Sequence, residues 1–169
     1  MYERILVTLD GSPLSERILP EVEQLIGNWE ASVTLLTVAA PPEETAQARP
    51  GVKQLPAAMT GSATTTGAEP RLIETVDQAF ERVRDELERY VEEKGHALRD
   101  KGIAVESVVR FGDPAEEIMA CARTYEVDLI MMASHGRTGL GQVIFGSVAG
   151  RVLASGVKPM LVVRPKGVE

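Results

Sequence analysis

The chain has 169 residues, enough for one domain whose core needs no disulfide or structural metal. Its 18 Lys and Arg against 25 Asp and Glu leave a net charge of −7, which argues against a general nucleic-acid binder, since that function needs a basic face against phosphate. A single cysteine excludes an intramolecular disulfide, no apolar run approaches the ~20 residues of a membrane span, and Met1 to Arg4 lead straight into a strand-like run without a targeting segment, so a cytoplasmic setting is expected.

Ile5 to Leu9 is a short apolar run that reads as a strand buried on both faces. It stops at Asp10-Gly11-Ser12-Pro13, where Ser12 suits a helix N-cap and Pro13 the first helical position. Leu14, Ile18, Val22, Leu25 and Ile26 then recur at helical spacing, and Pro20 predicts a kink inside that helix. Val33 to Val38 is a second strand. From Pro41 to Pro70 the chain holds five of its ten prolines and few large apolar side chains, so about 41–70 is expected to be a flexible insert within one domain spanning 1–169. Arg71 to about Asp100 predicts a long amphipathic helix with a stripe of Leu72, Val76, Phe80, Val83, Leu87, Tyr90 and Leu98 and a charged, solvated opposite face. Ile103 to Phe111 is a third strand. Gly112-Asp113-Pro114 turns into a short helix capped by Asp113, with Cys121 on its buried side. Val127 to Ala133 is a fourth strand, Gly146 to Ser155 a helix, and Pro159 to Val163 a fifth strand at an edge of the sheet. Strands alternating with helices predict an α/β fold: a single-domain, doubly wound, five-stranded parallel sheet of Rossmann-like type. In such sheets ligands bind beyond the carboxyl ends of the strands, where strand order reverses.

The loops there exclude several phosphate chemistries. A dinucleotide-binding loop needs G-x-G-x-x-G after the first strand, and Asp10-Gly11-Ser12-Pro13 has one glycine. Gly141 and Gly146 have P-loop spacing, but Ser147 stands where the lysine must be. A receiver domain needs an acidic pair that Arg4-Ile5-Leu6 does not supply, and His96 and His135 have no partners at metal-ligand spacing. The loop after the fourth strand is richer. Gly136, Gly139 and Gly141 allow close backbone approach, and Gly146-Ser147 opens a helix whose N–H groups suit a phosphate. Ser134 and Ser147 add hydroxyls and Arg137 a cation. The same residues also make an ordinary glycine-rich surface loop with a serine cap, and the residues alone leave both readings open.

Together, Ile5-Leu6-Val7 with Asp10-Gly11-Ser12, the Gly112-Asp113-Pro114 turn, the block Met132 to Gly139, and Gly146-Ser147-Val148 followed by Pro159 to Val163 resemble the universal stress proteins of the UspA type. The resemblance covers the chain except the insert. It implies a sheet of the adenine nucleotide alpha hydrolase-like kind, a homodimer through the strand at 159–164 and, in one branch, bound ATP with magnesium as its companion ion. That branch carries G-x-x-G-x(9)-G-[ST]. Gly136, nine residues and Gly146-Ser147 match it, while Ala133 replaces the first glycine. By this resemblance Asp10 faces the ribose and adenine end, Val38 lines the adenine pocket, and Phe111 and Gly112 lie nearby. The triphosphate lies over Ala133, Ser134, His135 and Gly136 and the start of the last helix. Gly11, Ser12, Arg137 and Val148 complete the ATP-binding set, and His135 shapes the loop rather than moving protons. Asp10 and Gly112 are also good turn residues in their own right. The expected function is that of an ATP-binding regulator in stress response. It is not an efficient enzyme, because no general base, arginine finger or pair of metal carboxylates of the phosphoryl-transfer kind is present. The rivals are an interaction module that recruits a partner through 41–70 and a slow ATPase on the same scaffold.

Overall fold

The computed structural model describes residues 2–26, 30–41, 76–133 and 146–164. In chain order these form β1 (Arg4–Leu9), α1 (Pro13–Glu16), α2 (Leu19–Ile26), β2 (Ser32–Ala39), α3 (Val76–Arg99), β3 (Ala104–Phe111), α4 (Pro114–Thr124), β4 (Leu129–Ala133), α5 (Ser147–Ser155) and β5 (Met160–Val163). The insert expected at about 41–70 lies, apart from Pro41, outside the described residues. Among the described residues, no helix is long and apolar enough to cross a membrane.

The five strands pair in parallel in the order β3-β2-β1-β4-β5. Ile5 stands opposite Val33 on one side and Leu129 on the other. Strand alternation then divides the core in two. Ile5, Val7 and Leu9 of β1 face α2 and α3 together with Val33, Leu35 and Met131, where Ile18, Val22, Val91 and Leu98 meet them. Leu6, Leu36, Ile130 and Met132 face the other way, onto Ala115, Ile118, Cys121 and Ala122 of α4 and Ala149 and Val152 of α5. Helices on both faces confirm the doubly wound sheet.

One element differs from expectation. The helix predicted from Pro13 to Ile26 breaks in two between Glu16 and Leu19. Pro20 explains it. Its ring clashes with the carbonyl four residues back, that of Glu16, so the helix restarts and holds Pro20 in its first turn, where a missing N–H costs nothing.

Candidate functional site

A cleft of about 280 Å³ opens beyond the carboxyl ends of β1, β2 and β4, on the α4 and α5 side of the sheet. It lies where strand order reverses, between β1 and β4. Its volume is near the lower end of the roughly 300–1,000 Å³ typical of small-molecule sites. Leu36, Val38, Ile118 and Met132 give it an apolar wall, and Thr8, Asp10, Ser15 and Ser147 bring polar groups to it.

Three local arrangements build its rim. The first is the loop after β1. Gly11 turns the chain at φ +77, and the Ser12 N–H donates to Asp10 Oδ1 at 2.9 Å. Ser12 then caps α1 by accepting the Ser15 N–H at 3.1 Å. The Ser15 hydroxyl donates to the Ser12 carbonyl at 2.9 Å and accepts the Asp10 N–H at 3.2 Å, so the loop is held from within. Behind it, Lys94 of α3 reaches Glu16 at 3.1 Å. The second arrangement is the start of α4. Asp113 Oδ1 accepts the Glu116 N–H at 3.0 Å as the N-cap, and Asp113 Oδ2 accepts from Arg151 Nη1 of α5 at 2.7 Å. The Arg151 guanidinium, then the Glu116 N–H, hold the Asp113 carboxyl below its ordinary range.

The third is the start of α5. Its N-cap is Gly146, which has no side chain to accept the first N–H groups, and among the described residues no side-chain hydrogen bond caps this helix. Gly146, Ser147, Val148 and Ala149 all line the cleft. An uncapped helix start of this kind turns backbone donors and a partial positive charge toward whatever the cleft holds.

Of the residues expected from sequence, the structure brings Asp10, Val38, Ala133, Gly146, Ser147 and Val148 together around this cleft. Gly11 and Ser12 shape the adjoining loop and are not part of its lining. Phe111 is a correction. It shares the α3 face with Val105 and Val109, and its ring stacks on Phe80 with centroids 4.7 Å apart, on the side of the sheet away from the cleft. Gly112 is a second correction. Its N–H donates to the Ala39 carbonyl at 3.0 Å and so closes the β2–β3 edge, and it too is absent from the lining. Ser134, His135, Gly136 and Arg137 lie outside the described residues. Sequence reasoning missed, among others, Thr8, Ser15, Leu36, Ile118 and Met132. For the strand residues the signal was alternation: Leu6 and Thr8, Leu36 and Val38, and Ile130 and Met132 are each two residues apart and share a face.

The model of the universal stress protein family matches residues 1–164. The chain is 26% identical over 164 residues to the universal stress protein YxiE of Bacillus subtilis, covering 97% of this chain and all of that one. The solved structure of MJ0577, a universal stress protein of Methanocaldococcus jannaschii, superposes with a TM-score of 0.71 at 27% identity over 99% of both chains. A universal stress protein of Archaeoglobus fulgidus, solved in complex with dAMP, shares the fold at 16% identity and a TM-score of 0.56, over 96% of this chain and 98% of that one.

Proposed function

The chain belongs to the universal stress protein family, and we propose that it works as a nucleotide-dependent regulator that binds ATP in the cleft between β1 and β4. The observation that carries this reading is the uncapped start of α5, opening onto a cleft with an apolar wall at the strand-order reversal. The apolar wall suits a base, and the helix start suits phosphate. Asp10, at the end of β1, is a carboxylate acceptor of the kind that holds ribose hydroxyls. The relative in complex with dAMP supports an adenine nucleotide as the ligand class.

The role is ligand-dependent regulation rather than efficient turnover. Among the described lining residues Asp10 is the one carboxylate, and its Oδ1 is engaged by the Ser12 N–H inside its own turn. The same proposal includes a homodimer through β5 and a cytoplasmic location, which suits a chain whose one cysteine is free and buried. Mass spectrometry of the freshly purified, denatured protein tests the ligand class. A co-purified adenine nucleotide is the expected result. No retained nucleotide, together with no heat on titration with ATP, would overturn it in favour of a nucleotide-independent interaction module.

A further inference from the structure

The two helix starts that flank the cleft carry opposite electrostatic characters. The start of α5 is uncapped and suits an anion. The start of α4 carries Asp113, Glu116 and Glu117, and Pro114 lines the cleft. These three carboxylates would repel an anion seated at α5. Arg151, one turn along α5 from Ser147, answers two of them: Nη1 meets Asp113 Oδ2 at 2.7 Å and Nη2 meets Glu116 Oε1 at 3.2 Å.

From this geometry we infer that Arg151 is a positioning residue for the phosphate end of the cleft, which offsets part of the negative charge of the α4 start and ties the α5 start to α4. The inference rests on the nucleotide reading above. The pair is 50% and 46% exposed on its Arg151 and Asp113 sides, so it adds little to the stability of the fold. Its effect belongs to the ligand instead. Loss of Arg151 leaves negative charge beside the anion, and the penalty grows with the number of phosphates. Arg151→Lys keeps the charge and loses only the planar fork. Asp113→Asn keeps the cap, because asparagine serves an N-cap as well as aspartate.

The test is calorimetric titration of the full chain with adenosine, AMP and ATP at low salt, beside thermal melting. Arg151→Gln is expected to lose about tenfold in ATP affinity, less in AMP affinity and nothing for adenosine, with the ATP loss shrinking as salt is added. Arg151→Lys should keep most of the ATP affinity. The triple variant D113N/E116Q/R151Q should recover ATP affinity at least to that of wild type, because two negative charges leave with the one positive charge. An equal loss for adenosine and ATP, no loss for either, or no recovery in the triple variant would each overturn the inference while the nucleotide reading stands. A wild-type protein that binds no ATP would overturn both.

Discussion

Gly146 sits at φ −56 and ψ 159, angles open to any residue, and a Cβ built there meets no atom within 4 Å. Among the described residues no side chain or backbone atom asks for glycine at this position; the proposed approach of a phosphate to the backbone would. Gly146→Val is therefore expected to cost no more than about 1 kcal/mol of stability, the usual worth of a favourable N-cap residue, and to abolish ATP binding in calorimetry. Unchanged ATP affinity in that variant would remove the α5 start as the phosphate seat. Ser147→Ala should weaken ATP by about 1.5–3 kcal/mol, the worth of one hydrogen bond to a charged group. Gly112 reverses the argument. Its φ of +147 lies where side chains rarely go, while the nearest obstacle to a Cβ is the mobile end of Glu117 at 3.0 Å. The backbone angle, not the clash, sets the cost. Gly112→Ala should lose about 1–3 kcal/mol in urea denaturation and change ATP affinity little. Single residues were legible where their chemistry is local. Ser12 and Asp113 cap the helices their types predict, each with Pro at the first helical position. Phe111 was not legible, because its role depends on which face of β3 the preceding helix α3 packs back onto, and that is settled by the folded sheet.

At the level of elements, the strands were legible as short apolar runs, and each begins or ends within about two residues of expectation. Of the stripe expected on α3, Leu72 lies outside the described residues, and Phe80, Val83 and Leu87 are half-buried. Leu98 is buried as expected, but Val91 is more deeply buried than Tyr90, which packs against the core only in part. What the stripe could not reveal is how α3 is fastened to the edge strand. Arg99 donates to both oxygens of Glu92 at 2.8 Å and, through Nε, to the Val105 carbonyl at 3.1 Å, so it spans helix and strand. Arg99 first, then Ser107, pull the Glu92 carboxyl from its ordinary 4.5 down to about 2. A carboxyl lowered by folding stabilises the fold above its unfolded pKa, and that contribution fades as pH falls through the folded one. Glu92 should therefore support the fold fully above about pH 4.5 and lose that support toward pH 2. Thermal melting of wild type and Glu92→Gln checks this. The gap between them should be constant near neutrality and close as the pH approaches 2. A gap that persists unchanged in acid would mean that Glu92 acts through packing and not through charge.

For the whole molecule, alternation of strands and helices was enough to predict a parallel, doubly wound sheet, because parallel strands need crossovers and crossovers here are helices. It also pointed to the strand-order reversal, where the cleft lies. The composition of the cleft wall was beyond it, since Leu36, Ile118 and Met132 come from three elements that only the folded sheet brings together. The same sheet raises a question of association. β5 is an edge strand of four residues, Met160–Val163, paired on one side to β4. Its Leu161 is 40% exposed, and none of its residues is fully buried. An apolar edge with an unpaired backbone is an association hazard unless something covers it, and a second copy lying antiparallel covers two such edges at once with one symmetric interface. Light scattering at micromolar concentration should therefore give twice the chain mass. Leu161→Glu places like charges across the two-fold axis and should shift the mass toward that of one chain, while far-ultraviolet circular dichroism stays unchanged because the side chain lies outside the core. A wild-type mass of one chain would overturn the dimer, and a dimer that survives Leu161→Glu would move the interface away from β5.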